Sequence, residues 1–525
     1  MPKQKRQKTF FMTNYDVVVV GSGNAGMAAA LHMAQAGKRT LLIEQHNLPG
    51  GCATSFRRGR FEIEPSLHEL CDVGTPDNPG TVGRLMENYG VKVNWIPVPD
   101  CFRSVGTYTD GGYMDVTMPV GVDAFIDAME KYVPGSRKSM QKLFDLFQEI
   151  DAGTAFLMEA NGNAPDKVLM KKYPNMLRTG GYHTSQVFEA LKLPQRCRDI
   201  MATYWSYLGV DLDHLNFIHY AMMTYTYIRL GASIPSHTSH EISTAMTERF
   251  RELGGDIWFN CRAEEFLFEN EKLYGVKTTA GVVACDYVLA NINPDIIYGK
   301  MVPKELVPER EKKLSAARQG QYGARMFVAY LCLDATPEEL GIRDYSIFMY
   351  SHSNSVKAEQ NLTGKLDDNN TSIFLCYNIA NPQISPEGTC ICSFTTYCGA
   401  EDWNSLSQRN YVPTKNAVVQ RMLDNLKQQL GIDLSGHIEE ISVATPWTFA
   451  RYLGTPEGSV YGHLAYDWDS LMARMMMLGS DYPIPGLRPI GASGPQSDGY
   501  SSTYITGQLI ASLALADMEQ EGGAK

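Results

Sequence analysis

The sequence predicts an α/β protein with a Rossmann-like dinucleotide-binding unit at its amino end and an α+β part built from the middle of the chain. Two local observations carry this prediction. A β-branched apolar run at 15–20 leads directly into Gly21-Ser-Gly-Asn-Ala-Gly26, and a helix-forming stretch then leads to a second apolar run ending in Glu44. With 525 residues, 44% of them hydrophobic, the chain can also form further cores.

Each element of this first unit follows from its residues. Tyr15-Asp-Val-Val-Val-Val is a short continuous apolar run, which is typical of a strand buried on both faces of a parallel sheet. The stretch 27–36 is rich in Ala, Leu and Met and predicts a helix that ends at Gly37. Arg39-Thr-Leu-Leu-Ile-Glu44 predicts a second strand that ends in an acid.

The glycines and the acid have the positions that a dinucleotide requires. Gly21 permits a tight turn, Gly23 allows backbone to approach a pyrophosphate, and Gly26 allows close packing of helix and sheet. The helix N-terminus offers free N–H groups to the phosphates. We therefore expect binding through Gly21, Ser22, Gly23, Ala25, Gly26 and Glu44, with Glu44 accepting from a ribose. The alternative is a glycine-rich turn in an ordinary α/β fold.

The segment after Glu44 favours FAD over NAD. Gln45-His-Asn-Leu-Pro-Gly50-Gly51 contains a double glycine and is followed by Arg57 and Arg58, which suits a loop around a larger cofactor. No second G-x-G-x-x-G unit follows for NAD(P)H, and the C-x-x-x-x-C of a flavoprotein disulfide reductase is missing. Gln45, Gly50, Gly51 and Arg58 are therefore expected cofactor contacts.

Two adjoining motifs resemble the phytoene desaturase family of FAD enzymes, which includes carotenoid cis–trans isomerases and retinol saturases. They are Gly50-Gly51-Cys-Ala-Thr-Ser-Phe and Phe61-Glu-Ile-Glu-Pro-Ser-Leu-His68. Glu64 and His68 fall at the family's acid and histidine, whereas Pro65-Ser66 replaces its usual Thr-Gly. Segments 254–266, 286–294 and 485–509 resemble the family's later FAD segments. The resemblance implies cofactor contacts at Ala263, Asn291, Gly491, Ala492, Ser502 and Thr503.

The resemblance implies a discontinuous, GR2-type FAD domain assembled from residues 12–80, 236–300 and 480–525. Residues 81–235 and 301–479 then form the substrate-binding domain, and 1–11 form a basic tail. Segment 445–462 is expected to be strand and turn lining the substrate side, although its glycines suit ordinary turns as well.

Long apolar substrates need large, adaptable walls, and residues 201–230 are rich in Met, Tyr, Trp and Phe. Met472, Met475, Met476 and Met477 form a second such group. Each residue of both groups is equally compatible with plain helix core. The family resemblance favours a tunnel for a carotenoid, a retinoid or a fatty acyl chain.

Polar groups near a flavin ring are candidates for proton transfer. Glu64, His68 and Tyr500 are the expected catalytic residues, and Glu69, Asp498 and Tyr504 are further candidates. His68 also fits a hydrogen-bonded core histidine, and Glu64 also fits an acceptor for backbone N–H groups beside the flavin. The expected activity is desaturation or saturation of carbon–carbon bonds. A non-redox double-bond isomerase and a flavin-bound carrier without catalysis remain alternatives.

Composition excludes several other classes. A net charge of −11 argues against a nucleic-acid binder, and no apolar run is long enough for a membrane span. The 11 cysteines lack the density of a disulfide scaffold, and neither they nor the 11 histidines show metal-ligand spacing. We expect no metal and a cytoplasmic protein. The tail 1–11 is either frayed or a weak membrane-surface anchor, and the electron partner and self-association into a homo-oligomer stay open.

Overall fold

The computed structural model describes residues 11–160, 164–363, 370–465, 467–476 and 484–523. The predicted basic tail, apart from its last residue, and Met477 lie outside the described residues. Within the described part, the apolar stretch that a membrane crossing would require is found in no helix.

Strands and helices occur in runs along the described chain. The described strands are β1 (Phe11–Val20), β2 (Thr40–Ile43), β3 (Phe56–Arg58), β4 (Phe61–Ile63), β5 (Leu70–Cys71), β6 (Gly74–Thr75), β7 (Asn78–Pro79), β8 (Trp95–Pro97), β9 (Asp100–Thr107), β10 (Tyr113–Pro119), β11 (Ala232–Pro235), β12 (Asp256–Trp258), β13 (Ala263–Glu269), β14 (Lys272–Thr278), β15 (Gly281–Ala290), β16 (Met326–Leu333), β17 (Ser346–Met349), β18 (Ser372–Cys376), β19 (Cys390–Tyr397), β20 (Ile438–Ala444) and β21 (Leu487–Pro489). The described helices are α1 (Asn24–Gln35), α2 (Thr81–Tyr89), α3 (Val122–Tyr132), α4 (Arg137–Glu159), α5 (Asp166–Lys172), α6 (Pro174–Thr179), α7 (Thr184–Ala190), α8 (Gln195–Met201), α9 (Trp205–Leu208), α10 (Phe217–Leu230), α11 (His240–Glu252), α12 (Pro294–Ile296), α13 (Glu309–Arg318), α14 (Ser355–Thr363), α15 (Tyr377–Ala380), α16 (Ala400–Asn404), α17 (Gln408–Leu430), α18 (Pro446–Leu453), α19 (Leu471–Met476) and α20 (Tyr500–Gly523).

The first sheet contains the predicted β-α-β unit. Its strand order is β12-β2-β1-β15-β14-β13, with β21 paired to β15, and β1 runs parallel to both β2 and β15. Residues 17–20 are buried and alternate between two cores, because helices cover one face of the sheet and a second apolar cluster covers the other. The Rossmann-like α/β prediction is confirmed at this sheet.

The carboxyl-terminal helix α20 packs on α1 at very close range. At Gly507 an added Cβ would collide with the backbone carbonyl oxygen of Ala25. Glycine therefore lets the two helices approach until backbone meets backbone, and this contact brings the end of the chain back to the glycine-rich loop.

The second sheet has the order β10-β9-β17-β18-β19-β16-β20 and is antiparallel except between β9 and β17. Side chains alternate along β16: Val328 and Tyr330 face the core that contains α4 and α10, whereas Phe327 and Leu331 join the core beneath α17. The apolar residues of 139–158 recur at helical spacing, and this stretch lies within α4.

The two sheets draw on different stretches of chain. Apart from Phe11, the first sheet takes its strands from within 12–80, 236–300 and 480–525, and the second takes its strands from within 81–235 and 301–479. We propose these stretches as the cofactor domain and the substrate domain.

The prediction of strand and turn at 445–462 is wrong for its first half, where α18 forms instead. Thr445 precedes Pro446 at the first helical position, and Gly454 ends the helix in the left-handed conformation with φ +68°. Proline and glycine are common in turns, but proline also favours the first position of a helix and glycine the position just past its end. Here they mark the two ends of a helix.

Replacing Gly507 by Ala is expected to lower the free energy of unfolding by about 1–3 kcal/mol, because the added methyl pushes α20 away from α1. Urea-induced unfolding measures this change. Gly299→Ala is the matched control, since an added Cβ there meets no atom within 4 Å. Equal losses at both positions would contradict the close helix contact.

Candidate active site

A cavity of about 950 Å³ lies between the two sheets. One end is lined by the glycine-rich loop after β1, the double-glycine loop and the loop after β15, and the other by α10 and strands of the second sheet. This volume lies in the range of about 300–1,000 Å³ that ligand pockets commonly have. Of the residues expected to bind the cofactor, those on its wall are Gly21, Gly23, Ala25, Glu44, Gln45, Gly50, Gly51, Ala263, Asn291, Gly491, Ala492, Ser502 and Thr503.

Asn291 holds the glycine-rich loops together at the end of β15. Its backbone N–H donates to Val20 O at 2.8 Å. An added Cβ on Gly21 would lie 2.8 Å from its backbone oxygen, and one on Gly23 would lie 2.9 Å from its side-chain nitrogen. Only glycine leaves room at these positions, so the loop presents bare backbone to the cavity.

Glu44 closes the nucleotide end of the cavity. Its Oε2 accepts hydrogen bonds from the backbone N–H and the hydroxyl of Ser22 at 2.8 and 2.7 Å, and its Oε1 accepts from the N–H of His46 at 2.8 Å. Since a carboxylate has about four acceptor positions, Glu44 keeps capacity for a ligand hydroxyl on the cavity side.

Three further expected cofactor or catalytic residues lie behind the wall: Ser22, Gly26 and Glu64 are absent from the cavity lining. Ser22 holds Glu44, and an added Cβ on Gly26 would collide with Gly21 O, so both act through the loop they support. Arg58 also lies outside the lining. Its guanidinium lies 5.0 Å from the centroid of the Phe56 ring, within the β3–β4 hairpin. Arg58 is exposed there.

Glu64 lies at 4% exposure with four hydrogen-bond donors around its carboxyl group. Oε1 accepts from the N–H groups of Ser66 and Leu67 and the hydroxyl of Ser239, and Oε2 accepts from the N–H of Ser239. Burial raises the pKa of Glu64 to about 7, against these hydrogen bonds, which lower it. The arrangement ties the segment after β4 to the start of α11.

The segment 65–69 has no strand partner. Four of its five carbonyl groups accept hydrogen bonds from tyrosine hydroxyls. Most of these tyrosines come from the second sheet or its loops. The hydroxyl of Tyr330 donates to Pro65 O at 2.6 Å, and that of Tyr377 donates to Leu67 O at 3.1 Å. The hydroxyl of Tyr345 donates to His68 O, and that of Tyr227 donates to Glu69 O at 3.2 Å. Buried carbonyls without partners are costly, so these phenols determine the path of the segment.

His68 lines the cavity and has a polar partner at each ring nitrogen. Nδ1 lies 3.3 Å from the hydroxyl of Tyr207, and Nε2 lies 3.0 Å from the hydroxyl of Thr395. Burial lowers the pKa of His68 to about 4, so the ring is neutral near pH 7. A neutral imidazole can donate at one nitrogen and accept at the other.

The loop 491–499 is supported from behind by a buried ion cluster. Asp469 binds both Arg318 and Arg474, with the shorter contacts at 2.7 and 2.9 Å. Arg474 in turn donates to Ala492 O at 3.2 Å and to His463 O at 3.3 Å. The cluster therefore positions the backbone of the loop at the cavity wall.

Tyr500 begins α20 and reaches back to the segment after β4. Its hydroxyl lies 2.8 Å from Ser66 Oγ, which donates to Cys52 O at 2.9 Å. Burial raises the pKa of Tyr500 well above its usual value, so the phenol keeps its proton. Tyr500 therefore joins the double-glycine loop, segment 65–69 and α20 at one point.

The aromatic and methionine stretch 201–230 is divided between wall and core. Four of these side chains line the cavity: Tyr207, Met222, Met223 and Tyr227. The other methionine and aromatic residues of the stretch are buried in the core around α4 and α10: Met201, Tyr204, Trp205, Phe217, Tyr220 and Tyr225. Met472 and Met475 also pack on that core. Side chains from 445–462 also line the cavity, among them Phe449, Tyr461 and Tyr452. The ring of Tyr452 packs edge-on against His46, close to Glu44.

Several residues that build the site carry no local sequence signal. Ser239, Tyr207 and Thr395 lie 175, 139 and 327 positions from their partners in segment 64–69. Only the three-dimensional pairing of the two sheets brings them together.

The sequence is similar to a known protein family and to named proteins. The model of a family described as flavin containing amine oxidoreductase matches residues 24–473. All-trans-retinol 13,14-reductase of Danio rerio is 24% identical over 475 residues, covering 85% of this chain and 77% of that protein. Prolycopene isomerase 1 of an Oncidium hybrid cultivar is 22% identical over 518 residues, covering 96% and 84%.

Solved structures show the same fold. Cyclohexylamine oxidase from Brevibacterium oxydans aligns with a TM-score of 0.61 at 13% identity, covering 97% of this chain and all of that one. An oxidoreductase from Methanosarcina mazei aligns with a TM-score of 0.63 at 14% identity, covering 95% and 100%. The predicted pairing of a Rossmann-like domain with a substrate-binding domain is thereby confirmed as a fold class.

Asp469→Asn is expected to lower the free energy of unfolding by about 3–5 kcal/mol, because it leaves two buried guanidinium groups without a counter-charge. Urea unfolding measures this loss. Asp433→Asn is the matched control: its pair with Lys427 is exposed, with side-chain exposures of 43% and 60%, so the loss of stability there should be much smaller. A small effect at both sites would argue against the support assigned to the ion cluster.

Proposed function

The chain belongs to the family of flavin-containing amine oxidoreductases and uses FAD, and from this premise we propose that it oxidises or reduces a carbon–carbon bond in a long apolar substrate. The observation that carries the proposal is the continuity of the cavity. One space is lined by bare glycine backbone at the nucleotide end, and its remaining wall combines methionine and aromatic side chains with the ionisable side chains of Asp72, Arg84, Asp151, Glu159 and Arg229. A flavin and an apolar chain can therefore meet in it.

The residues at the nucleotide end fit FAD. The glycine-rich loop leaves backbone where any Cβ would collide with Asn291, and the N-terminus of α1 opens directly onto this loop. We propose that Gly21, Gly23, Gly50 and Gly51 contact the pyrophosphate and that Glu44 contacts the ribose. Ala263, Asn291, Gly491, Ala492, Ser502 and Thr503 complete the binding site in this proposal.

FAD bound there supplies a donor and acceptor of hydride, and the chain supplies orientation and proton handling. The apolar wall excludes water from the reacting bond. We propose that His68 faces the substrate, that Tyr500 orders the flavin side through Ser66, and that Glu64 anchors segment 65–69 rather than titrating in the reaction. The four donors around Glu64 support this last assignment.

The substrate class follows from the apolar wall together with the relatives. One relative is named a reductase of all-trans-retinol and another an isomerase of prolycopene. We propose a retinoid, a carotenoid or a fatty acyl chain as the substrate of this chain. The family name refers to amine oxidation, and the sequence relatives are the reason to prefer carbon–carbon chemistry.

A flavin-dependent double-bond isomerase is the second candidate, favoured by the similarity to prolycopene isomerases over 96% of the chain. An isomerase needs no net electron flow. It would use the same cavity and the same apolar substrate.

Incubating the flavin-reduced protein with lipid extract under anaerobic conditions separates the two candidates. A redox enzyme that saturates should convert at most one equivalent of lipid per flavin, to a product with two more hydrogens, and oxidise its flavin in doing so. An isomerase should keep converting lipid without a mass change and with its flavin still reduced. Mass spectrometry and the flavin absorbance give both readouts, and oxidised protein tests the desaturation direction.

His68→Ala should slow conversion in either case, because the imidazole lies on the cavity wall. His237→Ala is the matched control, since that side chain is 78% exposed and lies outside the cavity. A flavin that no lipid oxidises or reduces, with no isomerised product, would contradict both candidates and favour a carrier.

A further inference from the structure

The cavity wall contains the buried carboxyl group of Glu69. Glu69 is 5% exposed and lines the cavity beside His68. Its Oε1 accepts a hydrogen bond from the hydroxyl of Tyr207 at 2.7 Å. Its Oε2 is buried and has no hydrogen-bond partner among the described residues. A buried carboxyl oxygen without a partner calls for an explanation.

The surroundings of Glu69 favour its neutral form. Burial raises the pKa of Glu69 to about 8, against the hydrogen bond from Tyr207, which lowers it. Titratable groups beside it that are neutral near pH 7 are His68, Cys71, Cys101, Tyr204, Tyr207, Tyr227, Tyr345 and Tyr377. The ionisable side chains of Asp72, Arg84, Asp151 and Arg229 also line the cavity. A carboxylic acid on the cavity wall is therefore available as a proton donor at neutral pH.

Glu69 is also the first member of a hydrogen-bonded chain. The hydroxyl of Tyr207 that donates to Glu69 lies 3.3 Å from Nδ1 of His68, and Nε2 of His68 lies 3.0 Å from the hydroxyl of Thr395. Each of the two intermediate groups can accept a proton on one side and release one on the other. The chain ends at Thr395, which lines the same cavity, so a solvent proton that reaches Thr395 after product release can pass through His68 and Tyr207 to Glu69.

We propose that Glu69 is the catalytic residue that exchanges a proton with the substrate carbon, and that Tyr207 and His68 restore its protonation state. This inference rests on the proposed function. In saturation, the C=C bond receives a hydride from reduced flavin at one carbon and a proton from Glu69 at the other. The products are the saturated bond, oxidised flavin and the Glu69 carboxylate, which regains its proton through Tyr207. Desaturation is the exact reverse of this balance.

The neighbouring groups are less suited to this role. Both oxygens of Glu64 are held by donors and the residue lies behind the cavity wall. Both nitrogens of His68 have hydrogen-bonding partners. Glu69 combines a titratable oxygen, a position on the wall and a path for resupply.

The protonation state of Glu69 can be tested without substrate. Infrared difference spectra of the flavin-loaded protein between pH 5 and pH 10 should show protonated-carboxyl absorption, part of which is lost near pH 8, above the pH at which Glu64 titrates. Glu69→Gln should remove this part. Tyr207→Phe should shift the transition to higher pH, because it removes the hydrogen bond that lowers the pKa. Glu311→Gln is the matched control, a partly buried carboxyl outside the cavity lining whose pKa burial also raises. An ionised Glu69 at pH 7 would overturn the proposal.

Single-turnover kinetics test the catalytic role. With flavin-reduced protein and an alkene lipid, the rate of saturation should fall as pH rises through about 8, since the acid form is required. With oxidised protein, desaturation should instead rise through the same range. Glu69→Gln should lower the rate about a hundredfold or more, and Glu69→Asp, which keeps an acid, should restore part of it. Flavin content and circular dichroism establish that both variants are folded.

The outcomes distinguish the two proposals. Conversion of lipid by the wild type that Glu69→Gln leaves unchanged overturns this inference and leaves the proposed function standing. No conversion of any lipid by the wild type refutes the proposed function and this inference together. A pH profile that Glu69→Gln flattens, with flavin binding intact, supports the assignment.

Discussion

The site depends on one stretch of irregular backbone, residues 64–69, that is held between the two sheets by side chains. It accepts no ladder hydrogen bonds, so each of its buried carbonyls requires a partner from elsewhere. Glu64 secures its start by accepting from Ser239 at the head of α11. Four phenols secure the rest, those of Tyr227, Tyr330, Tyr345 and Tyr377. Phenols suit this task because each presents a large apolar ring to the core and one donor at its tip.

This attachment couples the substrate region to the cofactor region. Tyr330 lies on a strand of the second sheet, and it contacts a segment whose Ser66 is bonded to Tyr500 at the start of α20. α20 packs on α1, which follows the glycine-rich loop. These contacts therefore form a continuous path from the second sheet to the loops that we propose bind the flavin.

Local order was predictable from the sequence, and long-range pairing was not. The β-α-β unit follows from periodicity and from glycines that are close together in the chain, and α4 follows from the spacing of its apolar residues. The partners of Glu64 and His68 could not be predicted, because serine, tyrosine and threonine at distances such as those of Ser239, Tyr207 and Thr395 have no distinguishing pattern. In 445–462 the ambiguity was chemical, because Thr-Pro and Gly occur at the ends of turns and of helices alike, and the chain forms α18 there.

The roles of Glu64 and Glu69, two carboxyl groups five positions apart, were the hardest to distinguish from the sequence. Glu64 and Glu69 are both carboxyl groups in an apolar setting that raises their pKa values, and the sequence motif draws attention to Glu64. What differs is the number of donors: four point at Glu64, whereas one points at Glu69. A carboxyl group surrounded by donors organises backbone, and under our proposal the one on the cavity wall with an unpaired oxygen exchanges a proton. The division of roles at this site is therefore set by hydrogen-bond geometry rather than by residue type.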